Sequence, residues 1–168
     1  MAGTIGIQRA TESDLEAVRA IYNQGIEDRC ATLETDAKSA DDIADWWAEH
    51  DERYVVLVAR EGTTTIGWAS LNRFSHCCAH AAIADLSVYI ARSHRGRGIG
   101  ASLLAELESR AREAGFHKIV LHAFEENERG KRLYCKAGFT EVGVFREHGI
   151  LDGRFIDVVA MERLLHSS

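Results

Sequence analysis

The sequence predicts an α/β (α+β) domain with a mixed, mostly antiparallel central sheet flanked by helices. Three observations carry this reading. Strand-like and helix-like patterning alternates in the order β α α β β β α β α β β along one chain of 168 residues. A glycine-rich stretch joins one strand directly to an amphipathic helix. No repeat, composition shift or linker divides the chain, which has no proline at all. Residues 1–168 therefore read as a single domain, long enough to bury a core.

Residues 5–9, Ile-Gly-Ile-Gln-Arg, alternate as a short strand. Thr11-Glu12-Ser13-Asp14 offers capping oxygens ahead of Leu15, Val18, Ile21 and Tyr22, whose spacing is helical. Ser39 opens a second helix through Ile43, Trp46 and Trp47, with acids in its first turn as the helix dipole favours. Residues 54–60 and 64–72 read as two strands of a hairpin turned at Glu61-Gly62-Thr63. A further strand, 82–90, runs into the glycine-rich stretch. Helical spacing resumes at Ile99, Leu103, Leu107 and Ala111, with Gly115 as C-cap. Residues 118–124 read as a strand, 128–137 as a helix ended by Gly138. Residues 141–148 and 154–163 read as a hairpin turned at Asp152-Gly153.

A formal charge of −6 argues against a nucleic-acid backbone as partner, which calls for a basic face. No apolar run reaches the length of a membrane span, and the first residues lack a signal-peptide pattern, so a cytoplasmic location is expected. Four cysteines without a CxxC pair read as reduced thiols.

The stretch Arg95-Gly96-Arg97-Gly98-Ile99-Gly100-Ala101 is the most informative. Glycines where a strand gives way to a helix leave N–H groups at the helix N-terminus free for a pyrophosphate, and Arg95 and Arg97 would add positive charge. The spacing fits neither a Walker A loop nor a G-x-G-x-x-G dinucleotide fingerprint. It resembles the Arg/Gln-x-x-Gly-x-Gly/Ala acetyl-CoA loop of the GNAT N-acetyltransferases, with Arg95, Gly98 and Gly100 at its fixed positions. A second segment, from Asn127 through Tyr134, Lys136 and Gly138 to Phe139, resembles the helix of the same family that follows this loop. Softer matches at residues 21–27, 32–35, 67–70, 87–89 and 149–158 resemble the branch acting on phosphinothricin, arsinothricin and methionine sulfoximine.

The resemblance implies acetyl-CoA as cosubstrate and no metal. It implies a bulged strand whose backbone at Val88, Tyr89 and Ile90 pairs with the pantetheine arm, and a loop, Arg95 to Ala101 with Gly96 and Ile99, that cradles the pyrophosphate. Asn127 and Lys136 join the cofactor side, Thr32 the acceptor side. It also implies a homodimer through the C-terminal hairpin. The acceptor would be a small amine or amino acid; a protein N-terminus, a polyamine, or a CoA sensor without catalysis are the alternatives.

Acetyl transfer to an amine needs a base, a polarised carbonyl, alignment and a proton for the thiolate. Asp85 stands where the branch carries glutamate and is the candidate base; its plain reading is a polar strand-edge residue. The resemblance implies Tyr134 as the candidate acid for the thiolate; its plain reading is packing. Arg73 is the candidate for an anionic substrate head, otherwise a surface arginine. In His76-Cys77-Cys78-Ala79-His80, an extended chain would put His76, Cys78 and His80 on one face, but a tetrahedral metal site draws on a distant ligand pair that the sequence does not supply. Arg92 stands where the family places proline, and Arg92→Pro is expected to be tolerated or mildly stabilising.

Overall fold

The computed structural model describes residues 3–165. The strands are β1 (Ile5–Arg9), β2 (Val56–Glu61), β3 (Thr64–Arg73), β4 (Ile83–Ile90), β5 (Lys118–Phe124), β6 (Thr140–Leu151) and β7 (Arg154–Leu164). The helices are α1 (Leu15–Glu27), α2 (Ala40–Ala48), α3 (Ile99–Glu113) and α4 (Glu128–Lys136). The seven strands form one sheet in the order β1-β2-β3-β4-β5-β7-β6, antiparallel except for the β4–β5 pair. This is the mixed sheet that the sequence predicts.

Local chemistry sets the boundaries. Thr11 caps a 3-10 turn, Glu12–Asp14, that leads into α1. Asp14 is buried there and accepts from Arg60 at 2.6 Å and Thr65 at 2.8 Å, tying the start of α1 to β2 and β3. Ser39 caps α2 in a closed capping box with Asp42. Gly115 and Gly138 follow α3 and α4 with φ of +78° and +89°. At these positions a left-handed glycine ends a helix without strain.

The core has two layers, one on each face of the sheet. On one side Leu103 and Leu107 of α3 pack with Leu71, Ala84, Leu86 and Ile119 of the sheet. On the other, Val18 and Ile21 of α1 pack with Val56, Val58 and Trp68 of the sheet, and Trp46 and Trp47 of α2 pack against them. The β3–β4 register pairs Trp68 with Tyr89, Ser70 with Ser87 and Asn72 with Asp85, so these six share the α1/α2 face. Arg73 pairs with Ala84 and belongs to the α3 face. The two sequence-predicted residues Arg73 and Asp85 therefore lie on opposite sides of the sheet.

The irregularity expected in the fourth strand is not in its ladder with β3, which runs unbroken from Ala84 to Ile90. It lies on the other edge. The parallel pairing with β5 covers Ile83, Ala84 and Asp85 and stops there, while β5 stays paired to β7 as far as Phe124. Beyond Asp85, β4 and β5 part, and the site is built in that opening.

Candidate active site

Two adjoining cavities fill the gap. The first, about 370 Å³, runs from the free edge of β4 at Val88–Ile90 to the start of α3. The second, about 320 Å³, lies between Asp85–Tyr89 of β4, His122–Phe124 of β5 and the chain at Ala31–Glu34. Tyr134 of α4 and Asn127 line both and mark where they meet.

The first cavity ends on a built anion cradle. Gly96 and Gly98 adopt φ of +80° and +79°, and Gly98 is the N-cap of α3 with no capping side chain. The first N–H groups of the helix are thus left for a ligand. A Cβ on Gly96 would come within 3.2 Å of the Arg129 guanidinium, which also lines this cavity.

The second cavity carries the titratable groups. Burial pushes the Asp85 carboxyl up to about 6, against the Asn72 side chain and the Leu86 N–H, which favour its charged form. Burial, and then the charge of Asp85, pushes the Tyr134 phenol up to about 12, so it keeps its proton at neutral pH. Burial likewise raises the phenols of Tyr22 and Tyr89, with the Thr32 hydroxyl opposing the rise in both. The Tyr89 ring passes close to α1 because Gly25 has no side chain; a Cβ there would sit 2.8 Å from it. His122 reaches the same cavity, and burial, then His148, pulls its proton affinity down.

Beside this cavity a third, about 320 Å³, extends under α1 and α2 between Tyr22, Trp46, Trp68 and Tyr89. Trp68 stacks on Tyr89 at 5.1 Å and meets Trp46 edge-on at 5.3 Å. Its indole Nε1 is buried with no hydrogen-bond partner among the described residues.

Residues 16–139 match the sequence model of the Acetyltransferase (GNAT) family. The chain belongs to that family. As a GNAT protein it is an acetyl-CoA-dependent N-acetyltransferase. It is 29% identical to the L-methionine sulfoximine/L-methionine sulfone acetyltransferase of Salmonella typhimurium, over 93% of this chain and 92% of that one. Among solved structures it resembles a phosphinothricin acetyltransferase from Sinorhizobium meliloti in complex with AcCoA, with a TM-score of 0.91 and 27% identity over 96% of this chain and 89% of the other. It also resembles a ribosomal-protein-alanine N-acetyltransferase from Brucella melitensis, with a TM-score of 0.92 and 33% identity over 95% and 99% of the two chains.

The GNAT cofactor suits the first cavity: a free strand edge, an uncapped helix N-terminus and a close-approach glycine turn complement an extended amide arm ending in a pyrophosphate. Of the sequence-predicted cofactor residues, Val88, Tyr89, Ile90, Arg95, Gly96, Gly98, Ile99, Gly100, Ala101 and Asn127 line it. Arg97 and Lys136 do not. Arg97 turns to Glu61 at 2.7 Å, and Arg95 pairs with Asp28 at 2.6 Å, so the expected positive charge of the loop is largely matched by acids. Asn127 caps α4 by accepting from the Gly130 N–H at 3.0 Å.

On the acceptor side, Asp85, Thr32 and Tyr134 come together in the second cavity. Arg73 is not brought to them: its guanidinium lies over the Tyr54 ring at 4.9 Å, on the opposite sheet face. The His76–His80 segment is not extended. It holds a 3-10 turn, Cys78–His80, in which the His80 ring bonds the Ser75 hydroxyl at 2.6 Å. No group of three metal-ligating side chains occurs among the described residues. His122 was missed by sequence reasoning, although strand parity places it on the face of Asp85, because Asp85 pairs with Val120.

Proposed function

We propose that this N-acetyltransferase transfers acetyl directly to the α-amino group of a small amino acid with a neutral side chain, of the methionine sulfoximine or sulfone kind. The observation that carries the reading is the meeting of Asp85 and Tyr134 where the two cavities join. Bound acetyl-CoA supplies an activated thioester. Asp85, raised to about 6, is ionised at neutral pH and basic enough to take a proton from an ammonium group at its carboxylate oxygen. A backbone N–H of the free β4 edge, near Leu86–Val88, polarises the carbonyl. Tyr134 holds a proton at its phenol oxygen for the departing sulfur.

The side-chain preference follows from what surrounds Asp85. With Arg73 on the far face, no unpaired cation lines the second or third cavity among the described residues: Lys38 is held by Glu34 at 2.9 Å. An anionic phosphinate or arsinate head would meet Glu34, Asp42 and Asp85 instead. The aromatic walls at Tyr22, Trp46, Trp68 and Tyr89 suit a soft, uncharged side chain. A thiol-release screen with acetyl-CoA tests this. Methionine sulfoximine and sulfone should turn over with kcat/KM at least tenfold above phosphinothricin and arsinothricin. Turnover of N-terminal peptides or polyamines alone would overturn the reading in favour of those acceptors, and binding without turnover of any amine in favour of a sensor.

The homodimer implied by the sequence is proposed on the β6–β7 hairpin, where Val142, Phe145, Ile150 and Phe155 stand exposed on an edge of the sheet. A Phe155→Glu variant should sediment as monomer where the parent sediments as dimer.

A further inference from the structure

Asp85 is one end of a hydrogen-bonded chain that leaves the active site. The Asn72 amide nitrogen lies 3.4 Å from the Asp85 carboxylate and 3.0 Å from the Ser87 hydroxyl. The Asn72 carbonyl oxygen accepts from Ser70 at 2.8 Å and lies 3.0 Å from Nε2 of His50. The other ring nitrogen, Nδ1, lies 2.7 Å from the main-chain carbonyl of Trp46. Both nitrogens of His50 therefore face oxygens that only accept. The Trp46 carbonyl also accepts from the Glu49 N–H at 3.2 Å, so the Asn72 oxygen is the one that depends on a His50 N–H.

We infer that His50 and Asn72 are positioning residues that hold Asp85 in its carboxylate form. An N–H at Nε2 of His50 fixes the Asn72 carbonyl toward itself, which turns the amide N–H groups toward Asp85 and Ser87. His50 does not touch Asp85; it acts through the orientation of one amide. The reverse orientation would close equally well with the His50 proton on Nδ1 and a protonated Asp85 donating to the Asn72 oxygen, and that arrangement has no base. The inference rests on the reading of Asp85 as base for its effect on rate, but its geometry stands without it.

The test follows Asp85 directly and through catalysis. In the full chain, ring 15N shifts at pH 7 should show a proton on Nε2 of His50, the nitrogen that faces the Asn72 oxygen. A single proton on Nδ1 would overturn the proposal, and this measurement needs no variant. In His50→Gln and Asn72→Leu, the 13C midpoint of the Asp85 carboxyl should rise by about one pH unit. At pH 6 that leaves about one tenth of Asp85 ionised in place of about a half. The acid limb of kcat/KM should move by the same amount while the KM for acetyl-CoA stays put. An unmoved carboxyl midpoint in folded variants would overturn the relay. A moved carboxyl midpoint with an unmoved rate limb would uphold the relay and remove Asp85 as the base.

Discussion

The negative charge of Asp85 is felt by Tyr134: after burial, it is the cause that lifts the phenol's proton affinity. The two groups are thereby set apart, Asp85 at about 6 and Tyr134 at about 12, one ionised and one protonated across the whole neutral range. Such a separation is what an acid and a base in one site require. The expected pH profile of kcat/KM rises through a midpoint near 6 and shows no alkaline fall from Tyr134 below pH 10. Asp85→Asn should lose the acid limb and roughly 10²–10⁴ in kcat. Near-parental turnover with an unchanged profile would remove Asp85 from the chemistry.

The same group makes a stability prediction with a definite sign. The folded carboxyl at about 6 binds a proton that the unfolded chain releases near 3.8. Between those values the folded state holds more protons, so stability falls as pH rises through the interval and stays lowered above it. The expected cost is at most about 3 kcal/mol at pH 7.5 relative to pH 3.5. Asp85→Asn should lack this loss. Denaturant titrations of both proteins at several pH values measure it, and parallel curves would show that Asp85 is not strained in the fold.

Much of this was legible in the sequence because it depends on local pattern. Ser39 and the acids after it announce α2, and Gly115 and Gly138 announce helix ends that the structure keeps. The loop from Arg95 to Ala101 is read from its glycines, since only the backbone there matters to an anion. What was not legible depends on partners distant in the chain. Arg73 lies one residue of strand parity away: its neighbour Asn72 is on the Asp85 face of the sheet and Arg73 on the other. Arg97 is absent from the first cavity's lining because Glu61, 36 positions away, holds its guanidinium. His50 carries no local motif, and its relation to Asp85 appears only when β3 brings Asn72 between them.

Tyr134→Phe keeps the ring and removes the proton. The ring meets Phe139 edge-on at 6.2 Å, a contact that phenylalanine preserves. Thermal stability should therefore change little, while kcat with saturating substrates falls on the order of 10–100-fold. The loss should shrink with an acetyl donor whose leaving group needs no proton. An unchanged kcat would assign Tyr134 to packing alone.

The Arg92→Pro expectation is reversed by the structure. The Arg92 N–H donates to the Gln24 side chain at 2.8 Å, and its guanidinium reaches Asp28 at 2.7 Å and Glu27 at 3.2 Å. Arg92 opens a 3-10 turn, Arg92–His94, where the fixed φ of proline is acceptable, so backbone strain is not the objection. The objection is the lost N–H, which fastens the end of β4 to α1 directly before the cofactor loop. Asp28 also holds Arg95 at 2.6 Å, so releasing one arginine disturbs the other's partner. Arg92→Pro should lower Tm by roughly 3 °C and weaken acetyl-CoA binding. Arg92→Ala, which keeps the N–H and gives up only solvent-exposed ion pairs, should cost less in both. If calorimetry shows the proline variant to be the more stable of the two, the Gln24 contact does not hold this junction together.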